Sequence, residues 1–162
     1  MEATDIAATT QKMSIRLKYY TKHMIGIIAE ANRAKLQECI DSGYIDEIRD
    51  KLSSDFSIDG VRFSLGARVS TSRVIEDAFL KTRHYSKEDW SEVNSKLDAT
   101  CEYIDKTKYL GSLTPILSLE PSVESMIEEY KESFEYPKQI RTSSVIQYVV
   151  HAYYLEFFDD QD

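Results

Sequence analysis

Two stretches of this chain repeat each other. Ile15-Arg16-Leu17-Lys18 matches Leu117-Ser118-Leu119-Glu120, and Met24-Ile25 matches Met126-Ile127, both at an offset of 102 residues. A third match, Ser72-Arg73-Val74-Ile75 with Ser143-Ser144-Val145-Ile146, runs at an offset of 71. The first copy therefore carries 31 extra residues between its two helices. A duplicated unit that cannot bury its apolar face alone must bury it on its copy, so self-similarity restricts the fold more than local propensity does.

Within each copy the same elements follow in order. Residues 13 to 18 (Met13 to Lys18) alternate apolar and polar, which predicts a short strand with one buried face. A helix from Thr21 carries Met24, Ile25, Ile28, Ala29, Leu36, Cys39 and Ile40 and stops at Ser42-Gly43. In the insertion, at about 42–66, Ile45, Ile48 and Leu52 predict a short helix, and Val61, Phe63 and Leu65 a further strand. Ser70-Thr71-Ser72 supplies N-cap chemistry for a helix with Val74, Ile75, Ala78 and Phe79, ending near Arg83-His84. Ser86, with Asp89 three residues on, caps a connector helix reaching Lys106, whose stripe is Trp90, Val93, Leu97, Cys101 and Ile104; Gly111 and Pro115 end it.

In the last third Leu117 and Leu119 flank Ser118 in a strand, and Pro121 opens a helix with Val123, Met126, Ile127 and Tyr130. Tyr136-Pro137 interrupts, and Thr142-Ser143-Ser144 caps a final helix with Val145, Ile146, Val149, Val150, Tyr153 and Phe157. The expected organisation is an arm over 1–12, a first unit over 13–84, a connector over 85–112, a second unit over 113–158 and an acidic tail over 159–162.

Strand, helix, loop and a second helix opened by a Ser/Thr-rich cap resemble the ribbon-helix-helix unit of the Arc, MetJ and CopG repressors. Ile116 to Val123 and Arg141 to Ile146 carry the closer likeness; residues 13 to 41 and 67 to 83 carry the other. The resemblance implies a mainly α fold with a small two-stranded antiparallel β ribbon, built as a tandem pseudo-dimer in one chain. It also implies a DNA-binding function, in transcriptional regulation or as a DNA-processing accessory factor, with the ribbon in the major groove of double-stranded DNA.

Strand alternation then assigns the contacts. Burying Ile15 and Leu17 turns Ser14, Arg16 and Lys18 outward, and burying Leu117 and Leu119 turns Ile116, Ser118 and Glu120 outward, toward bases. Arg16 can fork onto guanine O6 and N7, Ile116 can meet a thymine methyl, and Glu120, which repels phosphates, can accept from cytosine N4. Phosphate contacts are expected from Lys12, Lys22, Arg68, Lys138 and Arg141, and from Ser70, Thr71, Ser72, Thr142 and Ser143 at helix N-termini. The protein is expected to act as a monomeric pseudo-dimer or as a higher oligomer on DNA.

A net charge of −8, from 28 acidic and 20 basic residues among 162, argues against nucleic acid until its distribution is read. Residues 6–29, 60–75, 106–119 and 137–155 contain no Asp or Glu yet hold 11 of the 20 Lys and Arg. These are the two strands and the starts of the two second helices, so the net charge predicts a salt-sensitive grip on one face.

A second reading is a non-enzymatic protein-interaction module or inhibitor that reuses the scaffold. It is suggested by Glu120, the acidic surface, the insertion, and Tyr148, Tyr153, Tyr154, Phe157 and Phe158 in the last helix. No enzyme is expected: His23, His84 and His151 are scattered, no phosphate-loop or dinucleotide motif occurs, and no metal site or cofactor is indicated. No apolar run reaches the roughly 20 residues of a membrane span, and the N-terminus lacks the order of a secretory signal, which predicts a cytoplasmic protein. Cys39 and Cys101 sit on apolar helical positions and are expected to be reduced core residues.

Overall fold

The computed structural model describes residues 11–56, 58–60, 67–102, 104, 113–133 and 140–159. Two strands and six helices follow in the order β1 (Gln11–Ser14), α1 (Tyr19–Asp41), α2 (Tyr44–Asp55), α3 (Thr71–Lys81), α4 (Lys87–Glu102), β2 (Ile116–Leu119), α5 (Pro121–Ser133) and α6 (Thr142–Asp159). The chain is mainly helical with one two-stranded antiparallel ribbon, β1 against β2. The expected strand through Val61, Phe63 and Leu65, the tail beyond Asp159, the arm over residues 1–10, and Lys106, Gly111 and Tyr136-Pro137 lie outside the described residues.

The first strand is displaced from its predicted place. The ladder takes residues 11–14 rather than 13–18, pairing Gln11 with Leu119, Lys12 with Ser118, Met13 with Leu117 and Ser14 with Ile116. The register puts Pro115 opposite Ile15, and proline has no N–H to continue the ladder. The chain stays extended beyond that gap, where the Leu17 N–H donates to the Leu113 carbonyl at 2.7 Å.

Beneath the ribbon, α6 is the centre of the core, packed against α1, α3, α4 and α5. Val145, Ile146, Val149 and Val150 of α6 meet Val74, Ile75, Ala78 and Phe79 of α3, Met24, Ile25 and Ile28 of α1, and Val123 and Ile127 of α5 in one cluster. Leu17, Leu117 and Leu119 close it from the ribbon side. Each such side chain contributes roughly 1.5–3 kcal/mol on burial. Residues matched at offset 102 (Met24-Ile25, Met126-Ile127) and at offset 71 (Val74-Ile75, Val145-Ile146) are buried in both copies.

α4 begins with reciprocal capping. The Ser86 N–H donates to the Asp89 carboxylate at 2.7 Å and the Asp89 N–H donates to Ser86 Oγ at 3.2 Å, as the Ser86–Asp89 spacing predicts. Its stripe is buried at Val93 and Leu97, and Trp90 meets Tyr130 of α5 at 5.7 Å between ring centroids while Tyr130 stacks on Phe79 at 5.5 Å. Tyr153, Tyr154 and Phe157 are partly buried against the core, and Tyr148 is half-buried. The Phe158 side chain lies outside the described residues.

Two expectations fail for one reason. Cys39 and Ile40 are exposed, whereas Cys101, a free thiol like Cys39, is partly buried and packed against the core. Periodicity fixes which side of a helix is apolar but does not supply a partner: past Ala29, α1 has no buried residue, and α2, which packs against it, has none either. Among the described residues, no helix is long and apolar enough to cross a membrane.

Candidate functional site

The ribbon turns its polar residues outward. Lys12, Ser14, Arg16 and Lys18 are exposed, as are Thr114, Ile116 and Glu120, with Ser118 half-buried. Ile116 is 71% exposed although it is a large apolar side chain within a strand. Lys12 lies on this face opposite Ser118 rather than beside it, and continuation of the register puts Thr114, which sequence reasoning missed, opposite Arg16. Lys18 and Glu120 lie past opposite ends of the ladder, so the carboxylate does not face the ammonium.

Alternate N–H groups of each strand point away from its partner, toward the edges of the ribbon. On the β2 edge they are met by α3. The Ser118 N–H donates to Ser72 Oγ at 2.9 Å, and the Glu120 N–H donates to Glu76 Oε1 at 3.1 Å. Glu76 is buried and also accepts from the Arg73 guanidinium at 3.2 Å. α3 is positioned by its own cap, Ser70 Oγ accepting from the Arg73 N–H at 3.2 Å.

The β1 edge is open where the β2 edge is clasped. The residues 102 positions before Ser118 and Glu120 are Arg16 and Lys18, and those 71 positions after Ser72 and Glu76 are Ser143 and Gln147. Among the described residues, no hydrogen bond joins Ser143 or Gln147 to the backbone of Arg16 or Lys18. Between them lies a cavity of about 350 Å³, walled by residues 16–19, by Leu113, and by Ser143, Ser144 and Gln147 of α6. Among the described residues, none that lines it is acidic. Neither Arg16 nor Lys18 forms an ion pair with a described carboxylate; Lys18 lies over the Tyr20 ring, its Nζ 5.5 Å from the centroid. Burial raises the pKa of the Tyr20 hydroxyl, and the neighbouring Lys18 ammonium opposes that rise.

α6 starts at Thr142, with the Arg141 carbonyl accepting from the N–H groups of Ser144 and Val145. Arg141 therefore takes the cap position, and Thr142, Ser143 and Ser144 fill the first turn rather than capping it. That turn carries no acidic residue.

The remaining predicted contacts are dispersed. Arg68 and Arg141 are exposed, Thr71, Thr142 and Ser143 are half-buried, and Lys138 lies outside the described residues. Lys22 is half-buried, and burial lowers its ammonium pKa. The Ser70 and Ser72 hydroxyls are engaged in the intramolecular bonds above. Glu76 and Gln147 were missed by sequence reasoning; the signal was the four-residue Ser72–Glu76 spacing, repeated at Ser143–Gln147.

Among the described residues, no group of three or more His, Cys, Asp or Glu is placed to hold a metal ion. His84 is exposed against Tyr85, and His23 is half-buried. His151 is wholly buried with neither ring nitrogen hydrogen-bonded, and burial lowers its pKa to about 4. Comparison with protein-family models, with curated proteins and with solved structures gives no match for this chain.

Proposed function

We propose that this protein binds double-stranded DNA by laying its ribbon in the major groove, as a tandem ribbon-helix-helix pair on one chain. The observation that carries this reading is the ribbon register. Ser14 faces Ile116, and these two residues are 102 positions apart, the offset at which the strand and first-helix segments repeat. An antiparallel pairing centred on equivalent residues is what a pseudo-two-fold axis through the ribbon requires. Packing of α3 on α6, and of α1 on both, fits two units wound around that axis.

The outward row then reads Lys12, Ser14 and Arg16 on one strand and Thr114, Ile116 and Ser118 on the other. A ribbon of this width fits the major groove, with Arg16 suited to guanine and Ile116 to a thymine methyl. Lys22, Arg68, Arg141 and Thr142 are the phosphate contacts that this reading expects. Lys18 and Glu120 extend the row past opposite ends of the ladder, and Glu120 is its one acidic side chain among the described residues, although the whole chain carries −8. The expected activity is transcriptional regulation or an accessory role in DNA processing, with one chain as the binding unit.

Fluorescence anisotropy with labelled duplexes across a salt series tests the reading. Binding should weaken steeply with salt, and Arg16→Ala should cost about 1–3 kcal/mol and relax preference at one base pair. Lys22→Ala should weaken all duplexes alike and lower the salt slope by about one. Binding that is absent at low salt, or unchanged in Arg16→Ala, rejects the ribbon as the contact.

A second reading, a protein-binding module, is favoured by the far end of the molecule, where Ile40, Tyr44, Phe56 and Ile58 are exposed on and beside the α1–α2 hairpin. A stoichiometric partner recovered from nuclease-treated lysate, and lost on Tyr44→Ala with Phe56→Ala, supports it.

A further inference from the structure

We infer that the cavity between the β1 edge and α6 is a binding site for a small phosphate monoester, one that shares Arg16 with the proposed duplex-reading face. Three observations on different elements converge there. Two cations without carboxylate partners among the described residues, Arg16 and Lys18, stand on one wall. The first turn of an 18-residue helix stands on the other, presenting Ser143 and Ser144 and no acidic side chain. Its backbone N–H groups carry the partial positive charge of a helix N-terminus.

The third observation comes from the clasped edge. There the strand N–H groups of Ser118 and Glu120 are satisfied by a hydroxyl and by a buried carboxylate, Glu76. At the open edge the residue in the place of Glu76 is Gln147, 8% exposed and lining the cavity, with no hydrogen bond from its amide to the strand among the described residues. The protein's own carboxylate oxygen thus occupies on one edge the position left to a ligand's anionic oxygen on the other. An oxyanion seated there would accept from the strand N–H groups and the Ser143 hydroxyl and lie beside both cations, which suits a dianionic monoester better than a monoanion. A volume of about 350 Å³ has room for more than the phosphate group, and Leu17, Tyr19 and Leu113 offer apolar surface to the organic part.

Isothermal titration calorimetry on the full chain tests the inference, with AMP, with adenosine, and with a short DNA duplex lacking terminal phosphates. AMP should bind one to one and adenosine should give no binding heat. Arg16→Ala and Lys18→Ala, both at exposed positions, should each weaken AMP about tenfold. Gln147→Glu, which restores the carboxylate of the clasped edge, should abolish AMP binding while thermal melting shows a folded protein. If Gln147→Glu does not fold, the two alanine variants decide. Equal binding of AMP and adenosine, or AMP affinity unchanged in both alanine variants, overturns the site. Duplex binding without AMP binding also overturns it and leaves the DNA reading standing; AMP binding without duplex binding supports it and removes the DNA reading.

Discussion

The two edges of the ribbon are made from matched residues and end in opposite states. On the β2 edge, Ser72 and Glu76 close α3 onto the strand through two hydrogen bonds, and Arg73 holds the carboxylate in place. On the β1 edge, Ser143 and Gln147 stand across a cavity from Arg16 and Lys18. Glu76 against Gln147, with Ser118 and Glu120 against Arg16 and Lys18, separates a self-satisfied edge from one that has donors and cations to offer. In a symmetric dimer of identical chains both edges would be alike; here the two edges belong to one chain and carry different residues.

Packing should differ most between the edges. Leu119→Ala is expected to cost about 2–5 kcal/mol, as for a fully enclosed leucine. Leu17→Ala is expected to cost less, because Leu17 already lines the cavity and loses fewer close neighbours. Urea unfolding of both variants checks this; equal losses would mean that the open edge is packed as tightly as the clasped one.

Acid should act through the open-edge helix. His151 on α6 is fully buried, whereas the residue 71 positions before it, Leu80 on α3, is 48% exposed. Its folded pKa, about 4, lies below the ordinary value of 6.5, so the unfolded chain takes up the proton first. The stabilisation is therefore complete above pH 6.5 and is lost as pH falls toward 4, by up to about 3 kcal/mol. Comparing the pH dependence of melting in wild type and His151→Leu isolates this effect, and identical slopes would remove His151 as its source.

The clasp itself gives the smallest effects. Glu76→Ala should cost about 1–3 kcal/mol by leaving the Glu120 N–H without its acceptor, while Arg73 keeps its ion pair with Asp77, and Ser72→Ala should cost about 1 kcal/mol. Ser143→Ala should cost only a few tenths, about the scale of a surface change. A Ser143 variant as damaging as the Ser72 variant would show that the open edge closes in solution.

Much of this was legible in the sequence. The helices, the Ser86–Asp89 capping box and the outward set Ser14, Arg16, Ile116 and Glu120 follow from spacing, because side-chain period and cap chemistry are local. Strand limits were not legible, since the pairing of residues 11–14 depends on which residues β2 presents opposite them. The burial of Glu76 in an otherwise apolar stripe was hidden for the same reason: its hydrogen-bond donor lies 44 residues away, at Glu120. The exposure of Cys39 and Ile40 goes with an α2 that packs on this end of α1 and has no buried residue of its own, which no helical period encodes.

The register of the ribbon also bears on how the molecule is made. Gln11 finds its partner only when Leu119 is available, so the ladder cannot form on a ribosome until nearly three-quarters of the chain has been synthesised. Closing so long a loop is slow compared with forming helices, which places ribbon closure late in folding. The outward face of the ribbon therefore does not exist on a short nascent chain. It appears only after β2 has been translated, so a half-made molecule cannot use it.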